Sequence, residues 1–386
     1  MADVIVCGAG AAGLSAAAML RRSGMQVLVI ERSVAVAASW RARYDELFLN
    51  TPGWMAAQPG WAAPRRRYGE FPSRDQWINY LEDYARHHRL DIRFGVEAQR
   101  IDPAPAGWLI QAGDTTLEAA VVVVATGYDH DPYLPMWPGM DQFPGEVLHA
   151  AAYRTAAAFA GHDVLIAGAN TTGVELATHL CRAGASRVRI ACRTPPNLVR
   201  RKMLGVPVGF IGLLLMPLPR AWADWAGRRV QHAAFGDLPA LGLPTAPLGI
   251  RTVLEQTGRG PSYDDGFAHL LRSGQIQVVA AVHGFDGASV ILADGTRIRP
   301  DTVIAATGYR RGLQSLVGHL GVLGPAGTPV FHGGSQHPLA PRLFFIGYRI
   351  TLAGQMPAMR ADARGIARAA RRAVRHMPRP AAGGRP

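Results

Sequence analysis

The stretch DVIVCGAGAAGLSAAAMLRRSGMQVLVIER, Asp3 to Arg32, narrows the fold of this chain more than any other. It reads as a strand, a tight glycine turn, a helix ending near Gly24 and a second strand closing at Glu31, which is a βαβ unit. Gly8 permits the turn, Gly10 lets a pyrophosphate approach the backbone, and Gly13 lets the helix lie against the strand. The helix N-terminus then offers free N–H groups to phosphates. Glu31 stands where a carboxylate can accept hydrogen bonds from a ribose. Together they predict a bound dinucleotide.

The pattern returns at Asp163 as DVLIAGANTTGVELATHLCRAGASRVRIACR. Gly168 and Gly173 keep their places, Asn170 takes the middle position, and Thr171 opens the helix. Asparagine tolerates positive φ better than most residues, yet its side chain occupies space at the pyrophosphate. The second strand ends at Cys192 and Arg193 instead of an acid. An acid there repels a 2′-phosphate, whereas arginine pairs with one through two parallel bonds, which favours NADPH over NADH. Arg200, Arg201 and Lys202 lie nearby and are alternative sources of that charge. Two dinucleotides in one chain imply electron transfer between them, with FAD at the first unit and NADPH at the second.

At 386 residues the chain is long enough for two or three units with a ligand between them. Its 48% hydrophobic and 18% charged residues fit an α/β enzyme. The net charge of +13 is uneven, because Arg364 to Pro386 holds seven arginines and no acid. That stretch reads as a basic tail, and without a base-reading motif nucleic acid is not an expected partner. Met1 and Ala2 run directly into the first strand, so no leader and a cytoplasmic location are expected. The apolar run Met203 to Leu218 is shorter than a span and broken by Gly205, Pro207, Gly209, Gly212 and Pro217. With no transmembrane segment expected, this run and the following Trp222 and Trp225 read as buried packing or as the lining of an access path. The adjacent His87 and His88 lack metal-ligand spacing, so no metal is assigned.

Two near-identical segments, VVVVATGYDHDPYLP with Thr126 and Gly127, and TVIAATGYRRG with Thr307 and Gly308, each end a buried strand in Thr-Gly. They read as crossings between domains beside a ligand. Only Cys7, Cys181 and Cys192 occur, with no CxxC pair. A pyridine nucleotide–disulfide reductase, which needs such a dithiol, therefore falls behind.

The segment FPGEVLHAAAYR, with Phe143, Gly145, His149 and Tyr153, matches the fingerprint FxGxxxHxxx(Y/F). With both glycine loops and both Thr-Gly segments, it makes the chain resemble a class B flavoprotein monooxygenase of the flavin-containing monooxygenase superfamily. The resemblance covers almost the whole chain. Arg154 stands where many members have lysine. CRTPPNLVRRKMLGVP and GFAHLLRSGQIQVV look most like the YUCCA-type indole-3-pyruvate monooxygenases and their bacterial relatives. The resemblance implies that His149 positions the nicotinamide domain instead of acting as a base. SWRARYDELFLNTPG resembles the flavin-proximal segment, with Trp40, Tyr44, Leu47, Asn50 and Thr51 in place. In the family the asparagine matching Asn50 supports the oxygen adduct, and a carboxamide can donate to a peroxide oxygen without delivering a proton. Plant YUCCA members tend to carry histidine at that position, so Asn50 sides with the broader group.

The implied cycle passes hydride from NADPH to FAD, captures O2 as a 4a-hydroperoxyflavin, and oxygenates a small molecule: a 2-oxo acid such as indole-3-pyruvate, or an amine or sulfide. A Baeyer–Villiger-type monooxygenase and a flavin NADPH oxidase releasing hydrogen peroxide are the alternatives within the same motifs. A nucleotide-sensing protein without turnover is a non-catalytic rival. The expected architecture is α/β with two Rossmann-like domains. The FAD-binding domain, 1–148 with 299–375, receives the inserted NADPH-binding domain, 155–298. Residues 376–386 are expected to form a disordered basic tail, and the sequence leaves a homo-oligomer open.

Overall fold

Valine-rich runs make the buried strands, and alanine-rich, glycine-started runs make the helices laid over them. A computed structural model describes residues 3–375, and the expected tail 376–386 lies outside them. In chain order the elements that place the site are β1 (Val4–Cys7), α1 (Ala11–Arg22), β2 (Val27–Glu31), α2 (Arg74–His87), β3 (Asp91–Phe94), β4 (Val121–Val124), β5 (Glu146–His149), β6 (Asp163–Ala167), α3 (Thr171–Arg182), β7 (Arg187–Cys192), α4 (Val208–Leu215), α5 (Arg220–Phe235), β8 (Ile276–Ala280), β9 (Thr302–Ala305), β10 (Leu343–Phe345) and α6 (Gln355–Arg375).

They form two parallel five-stranded sheets, ordered β10-β4-β1-β2-β3 and β8-β7-β6-β9-β5. β1 and β4 are buried along their whole length, as continuous apolar runs in a covered sheet must be. Helix α1, with Ala16, Ala17, Ala18 and Leu20 all fully buried, lies between the first sheet and α6. Ser73 caps α2 in a reciprocal capping box with Gln76.

The second half repeats the first. β1 lies between β2 and β4, and β6 lies between β7 and β9. In each half a three-stranded antiparallel sheet, residues 100–119 and 282–298, precedes the strand that ends in Ala-Thr-Gly.

Two expectations change. Residues from 299 onward were expected in the first domain, but β9, which follows the hairpin at Asp294 and Gly295, enters the second sheet between β6 and β5. The fingerprint strand β5 is that sheet's edge. Thr302–Ala305 and Glu146–His149 therefore belong with the second sheet, and the chain rejoins the first sheet only at β10. The basic stretch is also less of a tail than it reads. Arg364, Arg368, Arg371, Arg372 and Arg375 ride on α6, whose opposite face buries Ala363, Ile366, Ala367 and Ala370. That helix begins at Gln355.

Tyr309–Arg310 pairs antiparallel with Asp131–Pro132. The two stretches that follow the Thr-Gly segments thus pass between the halves side by side. Arg311 joins them, lying 3.3 Å over the Tyr128 ring and donating to its carbonyl at 2.6 Å.

Candidate active site

The two glycine turns share one geometry. Gly8 has φ +114°, and a Cβ there would sit 2.5 Å from the Ala125 carbonyl oxygen; one on Gly13 would sit 1.9 Å from the Gly8 oxygen. In the second turn Gly168 has φ +121°, and the same clashes arise at 2.5 Å from the Ala306 oxygen and, for Gly173, 1.8 Å from the Gly168 oxygen. Each Ala-Thr-Gly segment thus presses against its own glycine loop. Any side chain at these four glycines would push strand, turn and helix apart.

The middle position behaves differently. Nothing lies within 4 Å of a Cβ placed on Gly10, so space remains in front of the α1 N-terminus and its unpaired N–H groups. Asn170 adopts φ −84°, ψ −172°, close to the −79°, −179° of Gly10. The tolerance for positive φ anticipated for this asparagine is not called upon, because extended backbone suits any residue. Its side chain is exposed and caps nothing.

At the first turn, Glu31 is buried and accepts from the N–H groups of Ala9 at 2.7 Å and Ser33 at 2.9 Å. The carboxylate braces the glycine loop and still has lone pairs for a ribose. Cys7, Gly8, Glu31, Arg32, Thr126 and His130 line a cleft at the carboxyl ends of these strands, where open α/β sheets hold ligands. Thr126 Oγ1 lies 2.8 Å from the buried Tyr348 hydroxyl. Gly127, with φ +108°, has nothing near its Cβ position. These features, open at Gly10 and tight at Gly8 and Gly13, fit a dinucleotide. Trp40 packs edge-on against Trp77, and Thr51 meets Gly354 just before α6. Both stand beside this unit and not inside the cleft.

At the second turn, Arg193 is exposed at the end of β7 with no ion pair or hydrogen bond among the described residues. The other three cations are engaged. Arg200 donates to the Ala234 carbonyl and covers the Phe235 ring, Arg201 donates to Asn50, and Lys202 pairs with Glu70. Thr171 Oγ1 donates to the Pro261 carbonyl at 3.2 Å, and Thr307 donates to that of Tyr133.

Between the halves lies a buried carboxylate that the motifs did not single out. Glu175, at the start of the second turn of α3, accepts from Asn50 Nδ2 at 2.8 Å and from the Tyr44 hydroxyl. Asn50 Oδ1 in turn accepts from Arg201 Nε at 3.0 Å. Both orientations of the Asn50 amide are thereby fixed. Burial raises the Glu175 carboxyl, and the bonds from Asn50 and Tyr44 pull it back; burial and then the Glu175 charge push the Tyr44 hydroxyl well above its usual range. A glutamate inside the buried run GVELA was the signal available in the sequence.

The fingerprint clasps the same interface. His149 Nδ1 accepts from the Ala151 N–H at 3.0 Å, so Nε2 carries the proton and donates to the Gly308 carbonyl at 3.1 Å. Burial lowers the imidazole below its usual value. A neutral ring with both nitrogens occupied positions the second Thr-Gly segment and has no atom left for acid–base work. A Cβ on Gly145 would lie 2.4 Å from the Asp301 oxygen, and Tyr153 packs edge-on against Tyr44. Arg154 donates to the carbonyls of Ala42 and Ala151, and Asp45 N–H to that of Arg154 at 2.8 Å. Arg43 reaches Asp129 at 2.7 Å and the Tyr309 hydroxyl at 2.9 Å. The segment around Arg43 is thus tied to both crossings.

Residues 5–203 match a family model described as pyridine nucleotide-disulphide oxidoreductase. The chain is 35% identical to indole-3-pyruvate monooxygenase YUCCA1 of Oryza sativa subsp. japonica over 316 residues, 81% of this chain and 77% of that one. The chain belongs to the flavin-containing monooxygenases of YUCCA type. This flavoprotein monooxygenase also resembles, at 25% identity and a TM-score of 0.70, a double mutant of the flavin monooxygenase of Stenotrophomonas maltophilia, with 97% of each chain covered. Its fold is shared by OTEMO, solved with FAD and NADP, at 15% identity and a TM-score of 0.73 over 97% of this chain and 84% of that one. FAD and NADPH are accordingly the cofactors of this YUCCA-type enzyme. The disulphide chemistry in the family model's description finds no dithiol here. Cys7, Cys181 and Cys192 stand apart as free thiols, and burial pushes Cys7 up to about 12 and Cys181 to about 11.

Proposed function

We propose that this monooxygenase oxygenates an aromatic 2-oxo acid, with indole-3-pyruvate the substrate to test first. The observation that carries this reading is the run of relatives named for that substrate, at 30 to 35% identity over about four-fifths of the chain. In balance, 2-oxo acid, NADPH, O2 and a proton become the one-carbon-shorter acid, CO2, NADP and water.

FAD, when bound, supplies the redox chemistry by accepting hydride from NADPH and activating O2. The chain's residues divide the remaining work. Gly8, Gly10 and Gly13 with the α1 N-terminus hold the FAD pyrophosphate, Glu31 its ribose, and Thr126 and Gly127 flank it. Trp40 and Thr51 support that unit from the side. Gly168, Asn170, Thr171 and Gly173 hold the NADPH pyrophosphate, and Arg193 takes the 2′-phosphate. Thr307, Gly308 and His149 fix the wall between the two sites. Asn50 faces the reacting edge, with its amide direction set by Glu175 and Arg201.

A second reading, an NADPH oxidase releasing hydrogen peroxide, is favoured by one observation: one of the two N–H donors of the Asn50 amide is already engaged by Glu175. One experiment separates the two. The FAD-loaded protein is given NADPH, O2 and indole-3-pyruvate, and indole-3-acetate, CO2 and hydrogen peroxide are counted per NADPH. Acid and CO2 in step with NADPH support the monooxygenase. Peroxide in their place, whatever 2-oxo acid is supplied, overturns it in favour of the oxidase.

A further inference from the structure

The apolar run from Met203 to Leu218 was expected to be packed or to line a path inward, and the fold instead turns half of it outward. Helix α4 buries only Gly209 and Gly212, which let it lie against residues 352–353. Leu213, Leu214, Met216 and Leu218 are exposed, and the surface continues onto α5 with Trp222 at 66% and Trp225 at 54% exposure. Leu204 stands free at the tip of the hairpin 202–207, and Trp54 lies tilted against Phe210, its ring centroid 6.0 Å away. Scattered exposed leucines need no explanation, whereas a continuous strip of leucine, methionine and tryptophan marks a contact surface.

The charges around it choose the partner. Asp224 is the one acidic residue between Lys202 and Gly236, and it is buried, bonded to Arg251 and Thr252. Arg228 and Arg229 are exposed on α5 without an acidic partner among the described residues, and Arg229 lies over the Trp225 ring. A second copy in a symmetric dimer would set this basic face against itself. Tryptophan at the boundary, leucine beyond it and arginine around it match the interface of an anionic bilayer. No helix among the described residues is long and apolar enough to cross a membrane, so the contact is in-plane.

We propose that the α4–α5 face docks this protein on anionic phospholipid surfaces through Leu213, Leu214, Leu218, Trp222 and Trp225, flanked by Arg228 and Arg229. The FAD-loaded chain should sediment with vesicles of equal parts phosphatidylglycerol and phosphatidylcholine, and not with phosphatidylcholine alone. Trp222→Ser with Trp225→Ser, or Arg228→Glu with Arg229→Glu, should weaken binding on the order of tenfold. Each variant's flavin content and melting temperature report whether it is folded. In the unmodified protein, phosphatidylglycerol brominated on its acyl chains should quench tryptophan fluorescence, a readout independent of any variant. Absence of sedimentation, equal binding by the variants, no quenching, or a dimer in sedimentation velocity that hides these tryptophans would each overturn the proposal.

Discussion

The side-chain amide of Asn50, on the flavin-proximal segment, donates at 2.8 Å to Glu175, two residues past the last glycine of the nicotinamide turn. Whatever moves the N-terminal half of α3 therefore moves the hydrogen-bond partner of Asn50. The link is short, partly buried and made between the two halves of the chain, so a change at one half has a physical route to the other.

Removing either end should expose that link. Glu175→Ala and Asn50→Ala should each raise the fraction of NADPH consumed without product, and the double variant should cost less than the sum, with a coupling of about 1–2 kcal/mol. Product and peroxide per NADPH in a double-mutant cycle measure it. Glu175→Gln keeps an acceptor for Asn50 but loses the charge. Because burial raises this carboxyl, its ionised form costs stability as pH rises, so the glutamine variant should melt no lower than the parent at neutral pH. A lower melting temperature together with unchanged coupling would contradict both statements.

Arg193 is the cation left without a partner among the four near β7. Arg193→Ala should raise KM for NADPH by roughly tenfold or more, the loss of a charge-assisted pair, while leaving KM for NADH nearly unchanged. Arg200→Ala, whose guanidinium is spent on a carbonyl and a ring, should leave the ratio alone. Steady-state rates with both nucleotides decide this, and an unaltered ratio in the Arg193 variant removes the 2′-phosphate assignment.

The glycine turns yield a paired test. Gly173→Ala places a methyl group 1.8 Å from the Gly168 oxygen, so reduction by NADPH should be lost while bound flavin is retained. Asn170→Gly should change KM for NADPH by less than about threefold, because the backbone there already has an ordinary extended conformation. Anaerobic bleaching of the flavin reads both, and normal bleaching in the alanine variant would dismiss the second turn as a nucleotide site.

Acid should weaken this protein through its histidines. Burial lowers His88 to about 4 from 6.5, and it also lowers His149, His179 and His332. Such groups stay neutral in the fold while the unfolded chain takes up protons near 6.5, so stability held above that pH is lost as pH falls. Melting temperature should therefore drop between pH 7 and 5. His88→Gln should flatten part of the slope, and identical slopes would rule His88 out as a contributor.

Both βαβ units were legible in the sequence because glycine spacing reports a steric need: a Cβ at Gly8 or Gly13 has nowhere to go. The assignment of Thr302–Ala305 to the second sheet was not, since strand pairing is a long-range matter and the two Thr-Gly segments are nearly the same in sequence. Glu175 was missed because a single buried carboxylate leaves no periodic trace. The exposure of α4 and α5 was missed because hydrophobicity indicates a preference for leaving water and says nothing about what will cover it.

The chain passes between its halves at two places, and these lie together as the ribbon of Asp131–Pro132 with Tyr309–Arg310. Two separated connections would fasten the halves like bolts at opposite corners. Adjacent ones act as a single spine, about which the covers can turn without stretching the backbone. The remaining clasps named here, Arg43 to Asp129, Arg154 to Ala42 and Asn50 to Glu175, are side-chain bonds that can be broken and remade in one swing. Opening for the nicotinamide cofactor and closing over its reduced partner then become two settings of one joint.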